Sequence, residues 1–386
     1  MTFPMTKVTS NVHWFKRFRL FCGGLALGLL ASWGLPVQAE EAAADKAASA
    51  ASTPAGPVHK WMNAPRVYGH LQAKDLGLVI NLDDPYSVQV GEHYAKVRHV
   101  PEDQILRVRL PVRGALTLAE FEALSGQIDQ FYGDRAQALA LAWRLPYAVD
   151  CNSLSGALAM GFDAKLCKNS CAPTKPSRYF GSGSTRPWAD FTMRPSMQLA
   201  ANDVASAKAL IDRGAKSDGT LGLRGAPPAH VHFVTTSDGI RSQRQLLFPP
   251  AGKVPQYSLE ITLDQTEALR NVDRVLIYMT GRAQVEGLNT VGFLPGALAD
   301  HLTSFGGRLD DPLGQMSALA WIEAGATASH GTASEPCAHL QKFPNPQALL
   351  LFYVQGASAL EAYWKSVAWP QQAVFVGEPL AAPFSR

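Results

Sequence analysis

Between Leu76 and Val149 three short apolar runs alternate with two capped helical stretches, and few folds accommodate that rhythm. Leu76–Ile80 reads as a strand. Asp84 and Pro85 read as N-cap and first helical residue, with Val88, Gly91, Tyr94 and Ala95 on one face. The helix must stop before Pro101, whose ring pushes Val100 out of the α region. Ile105–Leu110 is the second strand. Thr117 caps a helix that runs to Tyr132 on the spacing of Leu118, Phe121, Leu124 and Ile128, and Ala138–Val149 holds the third strand. Strand, helix, strand, helix, strand predicts an α/β fold with a parallel sheet and right-handed crossovers.

The same rhythm returns in the second half. Asn202–Arg213 is a capped helix, and His230–Thr235 and Arg274–Tyr278 have the continuous apolar character of buried parallel strands. Pro295–His301 and Gln315–Glu323 read as helices, Ala326–Ser329 as a strand, Ser358–Val367 as a helix and Ala373–Val376 as a last strand. Leu349–Val354 fits helix or strand, because so short an apolar run does not decide. The reading is two parallel-sheet α/β subdomains, residues 58–222 and 223–386. With 386 residues, 47% hydrophobic and 17% charged, the chain has material for both.

The first 39 residues read as a signal peptide. Lys7, Lys16, Arg17 and Arg19 form a basic n-region, Gly23–Leu35 an apolar h-region, and Val37-Gln-Ala39 a small-residue cleavage site before Glu40. Cys22 precedes the apolar run, which argues against a lipoprotein site, and the run is shorter than the ~20 residues of a membrane span. Removing four basic and no acidic residues from totals of 35 and 32 leaves 31 against 32. That balance gives no reason to expect nucleic acid as a partner or a stable membrane anchor after cleavage. Residues 40–57, rich in Ala and Ser, read as a disordered linker. The expected location is periplasmic or secreted.

Export decides how the cysteines read. Cys151, Cys167, Cys171 and Cys337 remain after cleavage, and an even number in an oxidising compartment predicts two disulfides, with three pairings open. A zinc site from Cys151, Cys167, Cys171 and a distant His lacks the Cys-x2-Cys spacing of structural sites. No metal and no cofactor is expected.

In open parallel sheets ligands bind beyond the carboxyl ends of the strands. Five polar corners follow expected strands: Asp83/Asp84, Asp150/Cys151, Thr280-Gly-Arg282, His330-Gly-Thr332 and Glu378-Pro379. Asp84 suits a helix cap, leaving Asp83 for a ligand. His330, Glu335 and Cys337 could form a thiol–imidazole centre, but a bonded Cys337 cannot attack anything. Asp300 and Ser304 lead into Gly306-Gly307, which permit a tight turn or close backbone approach. The chain has no phosphate-binding G-x-x-x-x-G-K-[ST], no H-E-x-x-H and no G-x-S-x-G.

As a set, "NLDDPYSVQVGEHYAKVRHVPEDQI", "LTSFGG", "GATASHGTASEP" and "VGEPLAAPF" resemble an uncharacterised family of exported bacterial proteins. A more distant resemblance runs to the gingipain-type cysteine peptidases. It implies a caspase-like fold, a small α/β subdomain followed by a larger one. "VLIYMTGRAQVEGL" looks like their strand ending in the catalytic His-Gly, but Gly281-Arg282 stands there. "FLPGALADHLTSFGG" lies where their catalytic Cys would follow the next strand, and it holds none.

Three functions follow, in this order. The first is an exported caspase-like protein without the peptidase dyad, binding a peptide, glycan or small-molecule ligand through Asp83, Arg282, Asp300, Ser304 and Glu335. The second is a carboxylate- or metal-dependent hydrolase using Asp83, Asp300 and Glu335. The third is an unorthodox cysteine peptidase using His330 and Cys337, with Glu335 beside them.

Overall fold

The computed structural model describes residues 62–386; the expected export segment and linker lie outside the described residues. The chain forms β1 (Leu76–Asn81), α1 (Pro85–Arg98), β2 (Ile105–Val108), β3 (Ala115–Leu116), α2 (Leu118–Tyr132) and β4 (Ala138–Leu141). Then come β5 (Ala148–Val149), β6 (Asn152–Ser153), α3 (Leu154–Met160), α4 (Ala164–Lys168), α5 (Pro187–Phe191), β7 (Ser196–Gln198) and α6 (Val204–Ser217). The second half contributes β8 (Ala229–Thr235), β9 (Gly252–Val254), β10 (Leu259–Gln265), β11 (Val272–Thr280), β12 (Val291–His301) and α7 (Leu319–Glu323). It ends with β13 (Ala328–Thr332), α8 (Pro346–Val354), α9 (Ala359–Ser366) and β14 (Ala373–Gly377).

Local chemistry sets the helix ends. Asp84 accepts the Tyr86 N–H at 3.0 Å, Pro85 opens α1, and His99 closes it in the left-handed region at φ 53°. Thr117 with Glu120, and Ser358 with Glu361, form reciprocal capping boxes at α2 and α9. The ambiguous run Leu349–Val354 is helical, because Asn345 caps it and Pro346 opens it.

Eleven strands form one sheet in the order β2-β1-β4-β7-β14-β13-β12-β11-β8-β10-β9, and β3, β5 and β6 form a small second sheet. Strands β2, β1, β4, β7 and β14 are parallel. So are β13, β12, β11, β8 and β10. The two blocks meet where β13 and β14 pair antiparallel, Ala328 to Gly377 through Thr332 to Ala373. One apolar core runs under both, from Leu78 and Ile80 to Phe233, Leu298 and Phe375.

Four sequence expectations change. Residues Pro295–His301 are the buried end of β12, not a helix: Ala297, Leu298 and Ala299 are covered on both sides of the sheet, and Gly296 bends the strand at φ 87°. The third strand stops at Leu141, and Ala148–Val149 joins the small sheet. His330-Gly-Thr332 is not a corner but the body of β13. Most consequentially, the strands before Asp83 and before Glu335 run in opposite directions, so their carboxyl ends face opposite edges of the sheet. The expected common edge does not exist.

The corner after β1 separates cap from surface charge. Asp84 is buried, whereas Asp83 is half-exposed and ion-paired with the exposed Arg109. Asp84→Ala is expected to cost about 1 kcal/mol in urea unfolding, and Asp83→Ala less than about 0.5 kcal/mol. The reverse order would contradict the assignment.

Candidate functional site

At the carboxyl ends of β12 and β13 a pocket of about 300 Å³ opens between three chain segments. β12 delivers Leu302, Thr303 and Ser304; β13 delivers Glu335 and Cys337; the turn after β8 delivers Arg241. Phe343 forms part of the lining. Leu302 and Phe343 are buried and apolar, while Ser304 and Glu335 are half-buried and polar.

Glycines allow these segments to meet. A Cβ on Gly281 would overlap the backbone of Arg241 and Ser242, and one on Gly331 would overlap Gly306 and Gly307. The Gly307 N–H donates to the Thr332 carbonyl at 3.0 Å, and the Thr332 hydroxyl donates to the Ser304 carbonyl at 2.8 Å. The "LTSFGG" and "SHGT" motifs are therefore two backbones in contact. Thr303 Oγ1 and the Phe305 N–H both donate to Gln315 Oε1, at 2.5 and 3.0 Å, which fixes the loop after β12.

Beneath the pocket lies a buried polar layer. Arg244 approaches the Asp300 carboxylate to 2.5 Å, both fully enclosed, and donates to the Thr280 carbonyl at 2.7 Å. Burial raises the Asp300 pKa, with Arg244 opposing it. His301 accepts the Trp321 indole N–H at Nδ1 (2.9 Å) and donates from Nε2 to the Met316 carbonyl (3.0 Å). Burial pushes its pKa down to about 3. His330 lies against Phe343 and Phe375, fully buried, with neither ring nitrogen hydrogen-bonded. Burial holds its pKa well below the ordinary range, helped by Arg244 and His301.

The expected site residues are thus divided. Ser304, Glu335 and Cys337 come together at the pocket. Asp300 is sealed in the core, Arg282 pairs with Glu267 at the surface, and Asp83 belongs to the opposite edge. Glu335 accepts the Cys337 N–H at 2.7 Å. Cys337 is disulfide-bonded to Cys171, and Cys151 to Cys167, so no thiol is available at the pocket. Two disulfides fit an oxidising compartment. Among the described residues no helix is long and apolar enough to cross a membrane, and no three His, Cys, Asp or Glu side chains are placed to hold a metal ion. Arg241 and Phe343 escaped the sequence reading. The polar corner Ser237-Asp238-Gly239, directly after the β8 run, was the signal for the first; nothing local marks the second.

No protein-family model, curated protein or solved structure matches this chain.

His301 and His330 make stability pH-dependent. Their folded pKa values lie below the unfolded value of about 6.5, so the unfolded chain takes up protons first as pH falls. The stability that their neutral rings contribute is complete above about pH 6.5 and is lost downward from there toward their folded values. His330→Leu is expected to remove up to about 1.4 kcal/mol per pH unit of slope between pH 6 and 5. Urea unfolding at both pH values measures it; an unchanged slope would show that His330 titrates normally.

Proposed function

We propose that this chain is an exported protein, periplasmic or secreted, that binds a peptide, glycan or other small ligand where caspase-like peptidases carry their dyad. The pocket over Leu302 and Phe343, polar at Ser304, Glu335 and Arg241, carries the reading. An apolar floor with a few convergent polar groups is the usual build of a ligand site. Four strands of the main sheet from the first half of the chain (β1, β2, β4 and β7), followed by seven from the second half, support the caspase-like architecture, which the gingipain-type resemblance implies. At the place of the dyad histidine stands Gly281, with no space for a side chain beside Arg241. The remaining candidates are unsuited to peptidase chemistry: His330 is sealed beneath Phe343, and the Cys337 sulfur is bonded. Asp83, Asp300 and Glu335 have separate partners, which disfavours a shared carboxylate centre.

Calorimetry of residues 40–386 against short peptides, muropeptides and oligosaccharides tests this, beside Ser304→Trp, which fills the pocket. At least one class is expected to bind and to weaken at least about tenfold, about 1.4 kcal/mol, in the variant. Peptide hydrolysis that disappears in His330→Ala or Cys337→Ala would overturn it. So would ligand binding unaffected by Ser304→Trp.

A further inference from the structure

A second cavity, of about 440 Å³, is remote in sequence from that pocket and lies beside the amino-terminal ends of β4 and β7. Its volume falls within the range of small-molecule sites, roughly 300–1,000 Å³. Leu139, Leu158 and Met193 give it apolar surface, and Trp188 and Phe191 give it aromatic walls.

Those walls are fixed before any ligand arrives. The Trp188 indole N–H donates to Asp134 at 2.9 Å, and the Arg194 guanidinium covers the ring at 3.4 Å from its centroid. Arg194 is itself enclosed, held by Asp129 at 2.5 Å and by the Ala136 carbonyl at 3.3 Å. The Arg178 guanidinium lies 5.1 Å from the centre of the Phe191 ring. The segment carrying Lys175 and Arg178 is anchored between them by the Ser177 N–H, which donates to the Ala368 carbonyl at 2.8 Å.

The charge balance is uneven. Lys175, Arg178 and Arg194 face the cavity with Asp129 as the sole carboxylate in its lining, and Asp129 is committed to Arg194. Among the described residues no carboxylate pairs with Lys175 or Arg178. Two uncompensated cations at the mouth of an aromatic-walled cavity select an anion with a flat aromatic body. Arg guanidinium binds carboxylates in a planar, two-pronged geometry that a neutral amide does not reproduce.

We propose that this cavity is a second ligand site, for small aromatic carboxylates, with the ring between Phe191 and Leu158 and the carboxylate at Lys175 and Arg178. The site stands apart from the Ser304 pocket and does not depend on its function.

Calorimetry with 1-naphthoate and its uncharged counterpart 1-naphthamide, on residues 40–386 at low salt, tests the assignment. Naphthoate is expected to bind one site saturably, and naphthamide at least tenfold more weakly. The double variant Lys175→Gln/Arg178→Gln is expected to lose tenfold or more with its melting temperature unchanged, since both side chains are exposed. Lys175→Gln alone, which leaves the Arg178–Phe191 contact intact, should lose part of the affinity. Ser304→Trp should bind naphthoate like the wild type, which separates this site from the other pocket. Absence of saturable naphthoate binding, equal affinity for the amide, or full affinity in the double variant would each overturn the proposal.

Discussion

The structure depends on the antiparallel pairing of β13 with β14. The last strand of the chain is not an edge but the fifth of eleven, with β7 on one side and β13 on the other. It is buried throughout, and Val374, Phe375 and Val376 are wholly inaccessible. Two parallel blocks that would each expose a strand edge are thereby closed against one another, and an unpaired buried edge would be costly. The residue directly after β14, Glu378, continues the join: its carboxylate accepts the Arg98 Nε–H at 3.0 Å, and α6 passes so close that a Cβ on Gly214 would lie 2.6 Å from its own. Arg98 also reaches Asp218 at the end of α6. The carboxyl terminus is thus part of the first block's core.

That reversal also governs where ligands can sit. Parallel strands deliver their following loops to one edge, but here each block has its own. The pocket at Ser304 and Glu335 uses the second block's carboxyl edge, and Asp83 marks the first block's, away from it. The Cys171–Cys337 disulfide bridges the two halves of the sequence across the rim of that pocket, tying the wall that carries Glu335 to the segment after α4. A buried Arg244–Asp300 pair under Leu302 holds the same edge from below. Removing one partner of such a pair strands the other charge in the core, a loss of about 3–5 kcal/mol in comparable cases.

Local signals were legible in the sequence, and non-local ones were not. Asp84, Thr117 and Ser358 announced their helices because a cap and the N–H groups it satisfies lie within three residues. The strand–helix rhythm announced an α/β fold for the same reason. Pro295 misled because a proline followed by apolar residues opens a helix as readily as it enters a strand, and only β11 and β13 on either side decide. Gly306 and Gly307 signalled close approach, but not that the partner is Gly331. Asp300 looked available for a ligand until the strand was seen to continue through His301 and carry it inward. No pattern within β14 tells which neighbour it pairs with, or in which direction, so the reversal and the divided edges were beyond reach.

If β14 joins the blocks into one cooperative unit, both should open together. Native-state hydrogen exchange of the disulfide-intact chain measures this directly, comparing the amides of β1 and β4 with those of β11 and β12. The account predicts one shared opening free energy for the two sets, with the same denaturant dependence. Protection in β11 and β12 that persists while β1 and β4 exchange through a separate, lower-energy opening would contradict it.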